Sequence, residues 1–323
     1  MARPKVLLTR RWPRLVEQSL MARHQVSLNP TDQPLTRSAM MDAMRHYDAL
    51  CPTVTDVIDA EILATPEATV RIMGNYGAGT EHIDLRAAKH AGIVVTNTPD
   101  VLTDATADLA MLLILMSTRR AGEGERQLRA QNWTGWHPTH LLGHSIAGKL
   151  LGFIGFGRIA RATARRAQAF GMRIAYHSRS RATPEIERAI HAEYVDSIEA
   201  LLTDSDIVSL HVPGGPQTHH LIDAKRLASM KPSAVLINTS RGSVVDEAAL
   251  AAALECRAIA AAGLDVFQCE PRVNPALLRL ENVVLLPHLG SATEETRIAM
   301  GMRVVENLDL FFSGRPPRDP VQP

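Results

Sequence analysis

The sequence has no surplus of either charge. Its 323 residues carry 35 Lys and Arg against 34 Asp and Glu, a formal net charge of +1. Nucleic acids and anionic membrane surfaces attract chains rich in basic residues, so neither partner is expected. Cysteine is scarce. Cys51, Cys256 and Cys269 are the only three, and none forms a Cys-x-x-Cys motif. This shortage argues against a disulfide framework and a zinc site, and it suits a reducing cytoplasm. No metal is expected. Long apolar runs are missing as well. Near the N-terminus only the short run "VLLT" is present, ringed by basic residues, whereas a secretory signal needs a longer core. The most apolar stretch, Leu109–Met116, is too short to span a bilayer and reads as a buried helix. Repeats and low-complexity segments are also lacking. The proline-rich tail "GRPPRDPVQP" is expected to fray or lie along the surface.

What is present is alternation. Short apolar runs bounded by turn residues predict strands at Val6–Leu8, Asp48–Leu50, Arg71–Met73, Ile93–Val95, Leu151–Ile154, Ile207–Leu210, Ala234–Ile237 and Val283–Leu286. Ala- and Leu-rich stretches with helical spacing, such as Asp246–Leu254, lie between several of them. That pattern predicts parallel sheets with helices on both faces.

The stretch "LLGFIGFGRIARATARRAQAF" holds a glycine-rich turn between an apolar strand and a helix. Gly155-Phe156-Gly157-Arg158-Ile159-Ala160 fits G-x-G-x-x-G/A. Gly155 permits the tight turn, Gly157 lets the backbone approach a pyrophosphate, and Ala160 lets the helix pack on the strand. Phosphates would sit at the helix N-terminus, where free N–H groups and the dipole favour negative charge. One further absence selects the cofactor. An Asp or Glu at the end of the next strand would accept the adenosine ribose hydroxyls, but "IAYHSRSR" contains no acid. Ser178 can donate to a phosphate, and Arg179 or Arg181 can pair with it through a planar fork. The expected cofactor is therefore NADP(H), with NAD(H) as the alternative.

The turn starts halfway along the chain, so a separate α/β unit precedes it. A long helix over Asp104–Arg119, N-capped by Thr103, is expected to connect the two. A second, about Thr293–Phe312, carries Ile298, Met302, Val305, Leu308 and Phe312 at helical spacing and is expected to return the chain to the first unit. The expected fold is α/β, with two doubly wound domains, Rossmann-like or flavodoxin-like, and a cleft between them.

Three segments place polar residues directly after apolar strands: "INTSRGSVVDE", "GLDVFQCEP" and "LLPHLGSAT". In open α/β sheets that edge binds ligands. Arg241 can clamp a carboxylate. His288 can exchange a proton near neutral pH, and Glu270 can orient its imidazole and favour the charged form. Spacing alone does not bring them together; a surface Arg, a capping Glu and a half-buried His fit each position as well.

Taken together, these segments resemble the D-isomer-specific 2-hydroxyacid dehydrogenase family over nearly the whole length. "GAGTEHIDLRAAKHAGIVVTNTPDVLTDATADLAMLL", "HVPGGPQTHHLI", "LINTSRGSVVDEAAL" and the segments above carry the likeness. Within the family, "VTNTPDVLTDATADLA" is most similar to glyoxylate/hydroxypyruvate reductases. Formate dehydrogenases share the architecture, but "PHLGSAT" departs from the Gln-Ser-His style of their catalytic segment; phosphoglycerate dehydrogenase is a further relative. The resemblance implies a substrate-binding domain over residues 1–98 and 289–323 and a dinucleotide-binding domain over 99–288. It implies that Arg241 binds the substrate's carboxylate and keto oxygen, that His288 is the general acid and that Glu270 is its partner. It places the backbone of Ala78 and Gly79 on the carboxylate. It also puts Thr106 and Asp265 near the nicotinamide, and Asn238, Thr239, Val212 and Pro213 along the cofactor. NAD-dependent members usually carry Asp where Ser178 stands, which agrees with the expectation of NADP(H).

The implied reaction is reduction of a small 2-keto acid. A non-catalytic, corepressor-like sensor on the same fold is the alternative, and an intact Arg241, Glu270 and His288 set argues against it. Family members form dimers through the region of Trp133 and Trp136, so a homodimer is expected, with local packing an equal reading for these two tryptophans. His82, His211, His219 and His220 show no metal-ligand spacing, and the paired histidines are expected to point apart.

Overall fold

The computed structural model describes residues 3–323; Met1 and Ala2, which begin the expected first domain, lie outside the described residues. Two wholly parallel sheets organise the chain. The first contains β1 (Lys5–Leu8), β2 (Gln25–Leu28), β3 (Ala49–Cys51), β4 (Ile72–Gly74) and β5 (Val94–Thr96), in the order β2-β1-β3-β4-β5. This is the flavodoxin-like order. The second contains β6 (Leu150–Ile154), β7 (Arg173–His177), β8 (Ala192–Tyr194), β9 (Ile207–Leu210), β10 (Val235–Asn238), β11 (Ala261–Leu264) and β12 (Val283–Leu285). Its order, β12-β11-β10-β9-β6-β7-β8, is the Rossmann order with one added edge strand. The fold class thus agrees with the sequence reading.

One compact unit comprises the residues up to Leu102 together with Ala292–Pro323; the other is Thr103–Ser291. The breaks fall a few residues beyond the expected 98/99 and 288/289. In each unit apolar clusters cover both faces of the sheet. Met44, Ile62 and Met73 lie on one face of the first sheet, and Leu8, Val16 and Val304 on the other. Leu236 and Leu250 mark one face of the second, and Phe153 and Leu113 the other. Burial on both faces explains why the strands read as short continuous apolar runs rather than alternating ones.

Several local expectations change. The helix Thr103–Thr118 starts at Thr103 itself, so that residue is inside the helix rather than its cap. It lies wholly within the second unit, packed on β10 and β11, and is not a connector. Leu112 breaks the expected burial of Leu109–Met116 by facing solvent. The last helix, Glu294–Phe312, is capped by Thr293 as expected, through its side chain and Thr296 N–H. Its core face is Met300, Val304, Val305 and Leu308; Ile298, Met302 and Phe312 are only partly covered. The buried stripe is centred about a quarter of a turn from the expected one and shares Val305 and Leu308 with it. The proline-rich tail is pinned: Val321 N–H donates to Val95 O at 2.8 Å and Asn97 N–H donates to Asp319 O at 3.2 Å. This pairing satisfies part of the free edge of β5.

Candidate active site

Register lines up one edge of the seven-stranded sheet. His177, Ile154, Leu210, Asn238 and Leu264 pair across five strands, so the residues that follow them share the carboxyl edge: Ser178, Gly155, His211, Thr239 and Asp265. The strand order reverses between β6 and β9, which is where dinucleotides bind in this topology.

At that point Gly155 has φ +85°, and a Cβ there would lie 2.5 Å from His211 O, so both the turn and the close approach demand glycine. Gly157 begins the helix Arg158–Ala169, which has no side-chain cap. Beyond its own chain neighbours, no atom of the described residues lies within 4 Å of where a side chain would start at Gly157. The first N–H groups of that helix therefore face open room, as a pyrophosphate site requires. Thr239 Oγ1 is buried on the same edge without a hydrogen-bond partner among the described residues. Uncapped helix, open glycine and orphaned hydroxyl all fit a nicotinamide dinucleotide. The Phe156 ring turns into the core and stacks on Tyr176 at 4.0 Å, which leaves its backbone for the turn. Ile159 is half-buried, Arg158 is exposed, and Val212 and Pro213 follow β9.

The end of β7 separates its two arginines. Arg181 is fastened: it bonds Glu187 at 2.8 and 3.0 Å and lies over the Tyr194 ring. Glu187 Oε1 also accepts from Tyr176 OH at 2.6 Å. Arg181 and the Tyr176 hydroxyl hold the Glu187 carboxyl down at about 2. Arg179 is exposed and reaches the neutral Gln217 Oε1 at 3.1 Å; Ser178 Oγ donates to Ser180 O at 2.7 Å.

Arg241, Glu270 and His288 do come together. Asn238 Oδ1 accepts from Ser240 N–H at 3.0 Å and from its hydroxyl at 2.8 Å, and Asn238 Nδ2 donates to Arg241 O at 2.9 Å. This side-chain turn shapes the loop after β10 and presents Arg241. A Cβ on Gly242 would lie 1.9 Å from Phe267 C, so only glycine lets this loop rest on the next one. Phe267 N–H donates to Glu270 Oε1 at 3.0 Å, and His288 Nδ1 meets Glu270 Oε2 at 2.8 Å. Burial pushes the Glu270 carboxyl up, but the hydrogen bond and charge of His288, with Phe267 N–H and the Arg241 charge, hold it below its usual range. With Nδ1 on a carboxylate, Nε2 is the nitrogen left to exchange a proton.

His288 itself has φ +56°, a left-handed conformation uncommon outside glycine. Its surroundings hold it there. His288 N–H donates to Asp265 O at 2.9 Å, and both oxygens of buried Asp265 accept, from Leu289 N–H at 2.6 Å and Gly290 N–H at 2.8 Å. Burial, opposed by those donors and by His288, raises the Asp265 carboxyl. Thr106 Oγ1 donates to Gly290 O at 2.9 Å. Asp265 and Thr106, expected beside the nicotinamide, are thus also the fasteners of the His288 segment.

Ala78 and Gly79 belong to the first unit, in the loop after β4. The carbonyls of Gly77, Ala78 and Gly79 all accept hydrogen bonds, from buried Asn75 and Thr98 and from half-buried Asn97. Sequence reasoning passed over Asn75 and Asn97. An Asn two residues before a glycine turn was the available signal, because Asn side chains commonly bond backbone two residues on.

His211 is half-buried, and desolvation of its ring lowers its imidazole to about 3, so it is neutral; its Nε2 meets Ser209 Oγ at 2.8 Å. His219 and His220 do not point apart. Their rings stack at 4.0 Å because His220 takes φ +49°, which swings its side chain over its neighbour. Trp133 and Trp136 are 50% and 81% exposed and so take no part in local packing of the core.

Residues 111–290 match the family model for the D-isomer specific 2-hydroxyacid dehydrogenase, NAD binding domain. The glyoxylate reductase of Thermococcus litoralis is 47% identical over 319 residues, 98% of this chain and 96% of that protein. The structure of an NADPH-dependent glyoxylate/hydroxypyruvate reductase from Sinorhizobium meliloti, in complex with NADP and malonate, matches with TM-score 0.88 at 36% identity, covering 99% of this chain and 97% of that one. Holo D-mandelate dehydrogenase from Rhodotorula graminis matches with TM-score 0.90 at 32% identity over 99% and 98% of the two chains. The chain therefore belongs to the D-isomer specific 2-hydroxyacid dehydrogenase family.

Proposed function

We propose that this protein reduces a small 2-keto acid, glyoxylate or hydroxypyruvate, to the 2-hydroxy acid, with NADPH preferred over NADH. The 2.8 Å pair of His288 Nδ1 and Glu270 carries the reading, because a module that only bound the dinucleotide would have no use for a paired acid and base. When bound, the nicotinamide cofactor supplies the hydride. His288 Nε2 gives the proton to the keto oxygen, and Glu270 steadies the imidazolium before transfer. Arg241 pairs with the carboxylate and supports the developing oxyanion. The N–H groups of Ala78 and Gly79 are the first unit's donors to that carboxylate. Residues up to 98 with 289–323 bind substrate in this reading, and 99–288 bind the cofactor through Gly155, Gly157, Arg158, Ile159, Thr239, Val212 and Pro213.

Ser178 and Arg179 read the 2′-phosphate, while Arg181 holds the loop that carries them, since its guanidinium is already committed to Glu187. The exposed Trp133 and Trp136 support a homodimer, and a cytoplasmic site of action accompanies the free cysteines. Among the described residues no helix is long and apolar enough to cross a membrane.

The test is catalytic efficiency over glyoxylate, hydroxypyruvate and larger 2-keto acids with each cofactor. The parent should turn over glyoxylate and favour NADPH. Arg179→Ala should cut the NADPH/NADH ratio on the order of tenfold or more, since hydrogen bonds between charged groups are lost only where a phosphate exists. Arg181→Ala should affect both cofactors alike. A parent that prefers NADH would refute the cofactor assignment, and a parent inert toward every 2-keto acid would refute the activity.

A further inference from the structure

The loop Gly77–Thr80 has an internal logic of its own. Asn75 is fully buried, and its Nδ2 donates to Gly77 O at 3.0 Å and to Gly79 O at 2.8 Å. Asn97 Nδ2 donates to Ala78 O at 2.7 Å. Thr98 N–H donates to Gly77 O at 3.0 Å. Three consecutive carbonyls are thus drawn toward one set of donors, two of them buried and Asn97 half-buried. A trans peptide is planar, and its C=O and the next N–H point in opposite directions. Drawing in the carbonyls of residues 77, 78 and 79 therefore turns out the N–H groups of residues 78, 79 and 80. None of those three N–H groups has an acceptor among the described residues. Successive outward N–H groups form a concavity suited to an anion.

Asn75 is in turn held in one orientation. Both of its amide hydrogens are committed to carbonyls, so Oδ1 is its acceptor, and His82 Nε2 sits 3.0 Å from it. His82 must donate there, which defines its tautomer. Asn97 is tied in through its own backbone, which donates to Asp319 O in the C-terminal tail at 3.2 Å.

We infer that Asn75 and Asn97 are positioning residues that hold residues 78–80 as a three-donor backbone cradle for the substrate carboxylate, with Thr80 N–H as the third donor. The inference rests on the proposed reading of Ala78 and Gly79 as carboxylate ligands. It adds that the amide direction of this loop is set by two side chains that touch no substrate. Without the Asn75 amide, Thr98 N–H alone holds the Gly77 carbonyl inward, and among the described residues nothing holds that of Gly79 against rotation of its peptide plane. A rotated plane would present a carbonyl oxygen to an anion and repel it.

The experiment compares glyoxylate with its uncharged amide as substrates of the full-length enzyme with NADPH. The parent should prefer the carboxylate strongly. Asn75→Ala should lose on the order of tenfold or more of that preference, mainly through KM, because hydrogen bonds to a charged group are among the strong ones. NADPH affinity, read by fluorescence titration, should stay at the parental value, which a general folding defect would not allow. Asn75→Ala with its preference intact would overturn the inference and leave the carboxylate reading standing. A parent with no preference would overturn both. If Asn75→Ala does not fold, half-buried Asn97→Ala decides: a reduced preference supports the cradle, and an unchanged one rejects it.

Discussion

Both sheets end in a carboxyl edge lined with polar residues, but the groups those edges leave to act are of different kinds. After β4 in the five-stranded sheet they are peptide N–H groups, aimed by buried Asn75 and half-buried Asn97. After β10, β11 and β12 in the seven-stranded sheet they are the side chains of Arg241, Glu270 and His288, aimed by close backbone contacts and by Asp265. Backbone donors carry no charge and do not titrate, so the first edge can recognise an anion at any working pH. The second edge can move a proton, and it is held in a strained arrangement to do so. His288 at φ +56° is the visible part of that strain.

The largest effect expected from this contrast is at His288. His288→Ala should lower turnover by roughly 10²–10⁴-fold, the usual contribution of general acid catalysis, with NADPH affinity preserved. His288→Asn is the companion variant, because Asn tolerates a left-handed backbone. Equal losses in both would trace the effect to the missing acid rather than to the strained φ, and parental turnover in either would break the side-chain account of this edge.

A smaller but structural effect is expected at Gly242. The added methyl of Gly242→Ala would meet Phe267 backbone atoms rather than a mobile side-chain end. Overpacking of that kind costs about 1–3 kcal/mol or more. Urea denaturation should show the second unit destabilised and turnover reduced, since Arg241 and Glu270 both ride on the contact. A variant of parental stability and activity would mean that the two loops do not depend on each other.

The mildest change is Glu270→Gln. It keeps the shape but removes the negative neighbour of the imidazolium, so the pH profile of reduction should shift toward acid. Stability should respond too. The Glu270 carboxyl is held below its usual range in the folded protein, so its stabilising effect is present above the unfolded-state value and fades as pH falls through the folded one. Acid titration of Glu270→Gln should lack that loss. An unmoved pH profile would detach Glu270 from the proton transfer.

Much of the second edge was legible before any coordinates. Glycine spacing, the missing acid after β7 and three strand-then-polar segments each have a local physical reason, and their residues do lie on one register line. Convergence of Arg241 with Glu270 was not legible, because it depends on Gly242 resting on a backbone 25 residues further on. The two arginines after β7 were also indistinguishable in sequence. Only packing shows that Glu187, Tyr176 and Tyr194 hold Arg181 while Arg179 meets a neutral glutamine. The first edge was the least legible. Its functional atoms belong to the backbone, and no residue type announces the direction of a peptide plane.

The sequence by itself determined the alternation of strands and helices, the placing of the dinucleotide turn and the identity of the chemically able side chains. These follow from periodicity, from glycine's lack of a Cβ and from the inventory of ionisable groups, all of them local properties. Tertiary structure alone decided which charges are committed to partners, which peptide N–H groups face outward and which nitrogen of His288 remains to exchange a proton. Those depend on contacts between residues far apart in the chain, and a hydrogen bond exists only once folding has set its distance and direction.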